Sequence, residues 1–165
     1  MGIVACFAST SPDELDRLRA NPDDIEAFLC PDDGESDPPN YIDLDKAWHG
    51  LHYLLNGDAG SGNGPLSQAI FGGTAFGPEI GYGPARFVTP AQVHAIAAAM
   101  AGVTVELLTA RFHPADMKAK EIYPEVIWVR DGDQALEYVL EQFEPFRAFY
   151  AAAAARGEAV IQWQM

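Results

Sequence analysis

The apolar positions of this chain follow a strand pattern near its two ends and a helical one between them. Residues 2–8 form a continuous apolar run closed by Ser9 and Thr10, which predicts a buried strand. Residues 159–164 alternate, with Val160, Gln162 and Gln164 set against Ile161 and Trp163, as in a half-exposed strand. Ser11-Pro12-Asp13-Glu14 supplies a cap, a first helical residue and a capping box, so a helix is expected to Ala20. Asn21-Pro22 repeats the logic for a second helix up to Leu29. A third is expected from Asp43 to a stop at Gly57, its stripe being Leu44, Ala47, Trp48, Leu51, Leu54 and Leu55. A different face of that helix carries Asp45, His49, His52 and Asn56.

Downstream, residues 65–71 predict a short helix and residues 85–88 a short strand. Thr89 and Gln92 form a second capping box, opening an alanine-rich helix that ends at Gly102. Thr104 caps a helix through Arg111, and Pro114 opens one through Glu121. Tyr123 is extended because it precedes Pro124. Residues 126–129 are expected as a strand. Asp131 and Asp133 are read as caps of a last helical region, which runs to Arg156 with a bend at Pro145. Residues 30–40, with three prolines and four acids, read as a polar loop. The whole is one domain over residues 1–165. Its fold class is α+β: a small mixed or antiparallel sheet including both chain termini, covered by several helices.

Charge narrows the function. The chain has 24 acidic and 10 basic residues, a net charge of −14, so general nucleic-acid binding and docking on anionic membranes are not expected. No apolar stretch reads as a membrane span. The start lacks the positive region of a signal peptide, and the two cysteines are too few for a secreted disulfide scaffold. A cytoplasmic setting is therefore expected. The charge is also uneven: half of the acids lie in residues 13–45, and between residues 47 and 110 the only Lys or Arg is Arg86. That stretch includes residues 57–83, which hold nine of the fifteen glycines.

Four phrases in the chain belong together. They are Asp43-x-Asp45-Lys46-x-Trp48-x-x-Leu51-His52-x-Leu54-Leu55-x-Gly57; Pro65-Leu66-Ser67-x-Ala69 followed by Gly72-Gly73; Tyr82-Gly83-Pro84-Ala85-Arg86 leading into Thr89-Pro90-x-x-Val93; and Glu121-Ile122-Tyr123-Pro124 with Trp128. With the Met-Gly-Ile start they resemble the YfbM-like family of bacterial proteins, over nearly the full chain. The resemblance implies an α+β fold and a bacterial cytoplasmic setting. The family is a domain of unknown function, so no catalytic residue is carried over. His52 falls on the shared phrase, whereas His49 does not.

Candidate chemistry is sparse. His49 and His52 share a helix face with Asp45 and would chelate a metal only with a third ligand, so no metal is expected. The loop through Gly60, Gly62 and Gly64 is neither a P-loop nor a dinucleotide turn and reads as a flexible connection. Ser67 lacks a nucleophile elbow, and Cys6 has no cation beside it in sequence. Arg86 stands out as a lone arginine in a neutral stretch. It is expected to pair with an acid, Asp45 or Glu79 first, or else to clamp a carboxylate or phosphate. Two functions follow. The first is a non-enzymatic interaction module, inhibitor- or immunity-like, that meets a basic protein partner. The alternative is a protein that binds a small molecule or small anionic ligand, or an enzyme, with its site at Trp48, His52, Tyr82 and Arg86. No cofactor is expected in either. Position decides between them: one concave pocket favours the second, and burial with mutual satisfaction favours the first.

Overall fold

The structure, a computed structural model, describes residues 2–31 and 34–165. Five strands form one antiparallel sheet: β1 (Ala5–Thr10), β2 (Tyr41–Asp43), β3 (Thr74–Glu79), β4 (Pro84–Val88) and β5 (Ala159–Gln164). Their order is β2-β1-β5-β4-β3, so the strands from the two ends of the chain lie side by side at its centre. The helices are α1 (Pro12–Ala20), α2 (Ile25–Leu29), α3 (Trp48–Asn56), α4 (Pro65–Phe71), α5 (Pro90–Ala101), α6 (Val105–Ala110), α7 (Pro114–Ala119), α8 (Ile127–Asp131) and α9 (Asp133–Ala155). The fold is α+β, as the apolar pattern implied.

The pleat divides each strand between two cores. Phe7, Val88 and Val160 point to one face and pack with Trp48, Leu51, Ile96, Phe146 and Tyr150 from α3, α5 and α9. Cys6, Ala8, Phe87 and Ile161 point to the other and meet Leu15, Leu18, Ile25 and Leu29 from α1 and α2. Each such aliphatic or aromatic side chain contributes ~1.5–3 kcal/mol by leaving water. Because helices cover both faces, β5 is buried almost throughout instead of half-exposed. Its alternation is real, but Gln162 is a buried polar residue, at 4% exposure, and not a solvent-facing one.

Local signals explain where most helices begin. Ser11 accepts from the Glu14 N–H, Thr89 and Gln92 form the reciprocal capping box, and Thr104 accepts from the Leu107 N–H. Gly57 ends α3 in the left-handed conformation, φ 71°. Elsewhere the expected boundaries move. Asp43 ends strand β2 instead of opening a helix: its Oδ1 accepts from the Asp45 N–H, and α3 starts only at Trp48. Asn21 does not cap the second helix, which is shortened to α2 behind a 3-10 turn over Pro22–Asp24. Residues 126–129 are not a strand but largely α8, with Val126 and Val129 exposed and Trp128 buried. Asp131 pairs with Arg130 at 2.6 Å, and the start of α9 has no side-chain cap.

Candidate functional site

One row of the sheet runs across all five strands on the α3/α9 face: Ile42, Phe7, Gln162, Arg86 and Ala75 stand directly opposite one another in turn. Side chains at such positions are neighbours. The row is covered by helices over Phe7 and left open towards Arg86. There a cavity of about 280 Å³ opens, lined by Phe7, Ser61, Phe71, Tyr82, Arg86 and Gln162 among others. No aspartate or glutamate is among its described lining residues, in a chain with 24 acids.

The Arg86 side chain is exposed and makes no hydrogen bond or ion pair among the described residues. The expected partners do not reach it. Asp45 accepts from the Tyr138 hydroxyl at 2.8 Å. Glu79 lies opposite Pro84, two residues along β4, across an irregular stretch of the β3–β4 register. Tyr82 is 61% exposed, and its backbone N–H donates to the Gln164 carbonyl at 2.9 Å. Beside it Gly81 has φ 64° and packs against that same carbonyl so tightly that a Cβ would collide with it. The turn over residues 81–83 is thus fastened to the end of β5, and it carries Tyr82 to the cavity rim.

Gln162 is the polar group that the alternation of β5 concealed. Its Nε2 donates to the Gln68 carbonyl (2.9 Å), the Ala69 carbonyl (3.0 Å) and the Tyr150 hydroxyl (3.1 Å). Tyr150 in turn donates to the Ala69 carbonyl at 2.7 Å. These acceptors fix the amide with nitrogen towards α4, and Oε1 is left buried without a donor. An unpaired buried carbonyl costs ~1–3 kcal/mol, so it needs an explanation. The other such atom among the described residues is Trp163 Nε1, next along β5 and therefore on the opposite face, where the indole packs on Tyr41.

Trp48 and His52 do not line this cavity. Trp48 is buried, donates its indole N–H to the Ile3 carbonyl at 2.8 Å, and stacks on His49 and Tyr123. His52 is fully buried; its Nε2 donates to the Gly60 carbonyl at 2.9 Å, and Asn56 approaches its Nδ1 at 3.4 Å. His49 donates from Nε2 to the Ala59 carbonyl at 3.1 Å and accepts the Tyr123 N–H on Nδ1 at 2.9 Å. Both rings are therefore neutral donors, and burial holds both imidazoles below the usual histidine range. The described residues contain no group of three or more His, Cys, Asp or Glu side chains placed to hold a metal.

These histidines have a positional role. With Ser67, which accepts from the Gly62 N–H at 2.6 Å, and Gln68, which donates to the Gly62 carbonyl at 3.1 Å, they tie down the glycine loop on both sides of Ser61. The loop is held by side chains on α3 and α4, contrary to a flexible connection, and it brings Ser61 to the cavity. Phe71 connects the two regions: it contacts the His52 ring at 4.3 Å between centroids and lines the cavity. Cys6 lies on the other face, where burial pushes its thiol up to about 11 and away from nucleophilic use. No helix among the described residues is long and apolar enough to cross a membrane.

Residues 1–163 match the family described as "Domain of unknown function (DUF1877)", and the chain belongs to that family. Its fold is similar to that of the protein of unknown function YfbM from Escherichia coli, whose crystal structure superposes with a TM-score of 0.73 at 21% identity, covering 96% of this chain and 98% of the other. No curated protein matches the chain.

Proposed function

We propose that this protein binds a small anionic molecule in the cavity at Arg86. The observation that carries the reading is an arginine without a partner, at the mouth of a cavity whose lining holds no acid, in a chain with a net charge of −14. A guanidinium offers a planar fork suited to a carboxylate or phosphate. The cavity is slightly smaller than the ~300–1,000 Å³ usual for drug-sized ligands, which fits a metabolite of modest size. Tyr82 and Phe71 offer ring surface beside the charge, and Ser61 a hydroxyl. A cytoplasmic setting agrees with two unpaired cysteines, Cys6 and Cys30.

The test is a titration with benzoate, followed through the side-chain Nε–H resonance of Arg86 and the backbone resonances of Ser61 and Tyr82. Saturable shifts at these positions, absent in an Arg86→Met variant of unchanged fold, are expected. Shifts scattered over the surface, or persisting in the variant, would overturn the reading.

A second reading, an interaction module for a basic partner, is supported by one surface. Asp13, Asp16, Asp23, Asp24 and Glu26 are all exposed on and after α1. Complementary charge of this kind accelerates encounter and weakens with salt.

A further inference from the structure

The cavity sets a single charge beside apolar walls. Arg86 is the one Lys, Arg, Asp or Glu among its described lining residues. His52, whose ring packs on Phe71, is neutral, so it adds no second cation behind that wall. Gln162 offers a ligand nothing: its nitrogen is engaged by two α4 carbonyls and the Tyr150 hydroxyl, and its Oε1 is buried. Ser61 and Gln164 supply neutral polar groups. The accessible lining also includes the half-buried Phe71 and the exposed Tyr82 and Pro84. Phe71 is held by edge contacts with Trp48 and His49, so its side of the cavity is already in place for a ligand.

We infer that the ligand is a small amphiphilic monocarboxylate: one carboxylate on a flat apolar body, of the arylalkanoate kind. The carboxylate meets the Arg86 guanidinium, and the body lies against Phe71 and Tyr82, whose rings favour a planar partner. A bare anion such as acetate leaves those rings uncovered. A polyol phosphate brings hydroxyls and a second charge to a lining with one cation and few free polar groups, and a polar group left without a partner costs more than a made hydrogen bond contributes. The inference rests on the reading of the cavity as an anion site and adds the nature of the body that carries the anion.

The experiment compares four probes on the full chain at pH 7.5, with dissociation constants read from the Ser61 amide resonance. They are 3-phenylpropanoate, with head and body; acetate, with the head alone; 3-phenylpropan-1-ol, with the body alone; and glycerol 1-phosphate, with an anion on a polar body. 3-Phenylpropanoate is expected to bind about tenfold tighter than each of the others, as covering part of one ring's apolar surface would give over acetate. In Tyr82→Ala its advantage over acetate should shrink several-fold while acetate binds as before. Acetate or glycerol 1-phosphate binding as tightly as 3-phenylpropanoate, or an unchanged advantage in Tyr82→Ala, overturns the inference and leaves the anion site standing. 3-Phenylpropan-1-ol binding as tightly, or failure of all four probes, overturns the anion site itself. Near-ultraviolet circular dichroism checks the fold of the variant. If it does not fold, nuclear Overhauser contacts in the wild-type protein decide: the phenyl protons of 3-phenylpropanoate should reach the rings of Phe71 and Tyr82, and contacts to neither overturn the inference.

Discussion

On α3, the Trp48 indole and both histidine rings hydrogen-bond to the backbone of this same chain. On β4, across the cavity that Phe71 also lines, the Arg86 side chain bonds to nothing among the described residues. Both stretches carry polar residues that suggest a site, yet only the second has groups left over for another molecule. The contrast teaches how to weigh such residues. A buried ring with every nitrogen engaged holds the fold, and an unmatched group on a cavity wall is available. The two regions are also coupled, because the histidines of the first fix the loop that brings Ser61 to the second.

Substitutions at the two regions should therefore separate stability from binding. The largest effect is expected for Trp48→Ala, which removes a buried ring packed on His49, Phe71 and Tyr123. It should lower stability by ~3–5 kcal/mol in urea unfolding. A midpoint unchanged from wild type would break the comparison at its structural end. Next comes Gly50→Ala on the same helix, whose added Cβ meets the Trp128 ring and, at 3.1 Å, Val139. Overpacking of this kind costs about 1–3 kcal/mol, readable as a fall in melting temperature.

Between pH 7.5 and 5, acid should act on the α3 region. The unfolded chain takes up protons on its histidines near pH 6.5, before the buried rings of His49 and His52 do. Stability is thus constant above that pH and falls as pH drops through it, and the loss accumulates until the folded rings titrate. Melting temperatures measured between pH 7.5 and 5 should show this decline. Removing both rings, in a His49→Gln/His52→Gln variant, should flatten it. A variant with the same slope would place the pH sensitivity elsewhere. The smallest effect is expected for Arg86→Ala. An exposed, unpaired arginine should change stability by no more than about 0.5 kcal/mol, while benzoate binding at the cavity is lost. A large destabilisation would show that Arg86 serves the fold after all.

The sequence showed the outline of these regions more clearly than their chemistry. Caps at Ser11, Thr89 and Thr104 are local hydrogen bonds, so the helices they open could be read directly. Strand β3 could not, because Thr74–Glu79 is an edge strand with little burial and no alternation to betray it. The run at 126–129 is four apolar residues, too short for periodicity to tell strand from helix. At the site, spacing placed His49 and His52 on one face but could not say what lies over that face. The glycine loop folds back and supplies the acceptors. Gln162 was hidden for a related reason: a glutamine alternating with apolar residues looks solvent-exposed unless the second covering layer is known. The sequence marks Arg86 as a lone cation, but pairing needs an acid within reach, and the nearest expected ones are turned to Tyr138 or displaced along β3.

The central pairing of β1 with β5 has a kinetic meaning. Val4 and Met165 exchange backbone hydrogen bonds of 2.8 and 3.0 Å, so the middle of the sheet joins segments separated by nearly the whole domain. During synthesis β1 leaves the ribosome early, and the partner that separates it from β4 arrives after every other strand. Until then the sheet exists at most as two unconnected pairs, β1 with β2 and β3 with β4, each with an edge that β5 will later cover. Closing so long a loop is entropically slow, and pairings this distant in sequence retard folding. The unpaired edges of β1 and β4 are meanwhile open to wrong partners until β5 has emerged.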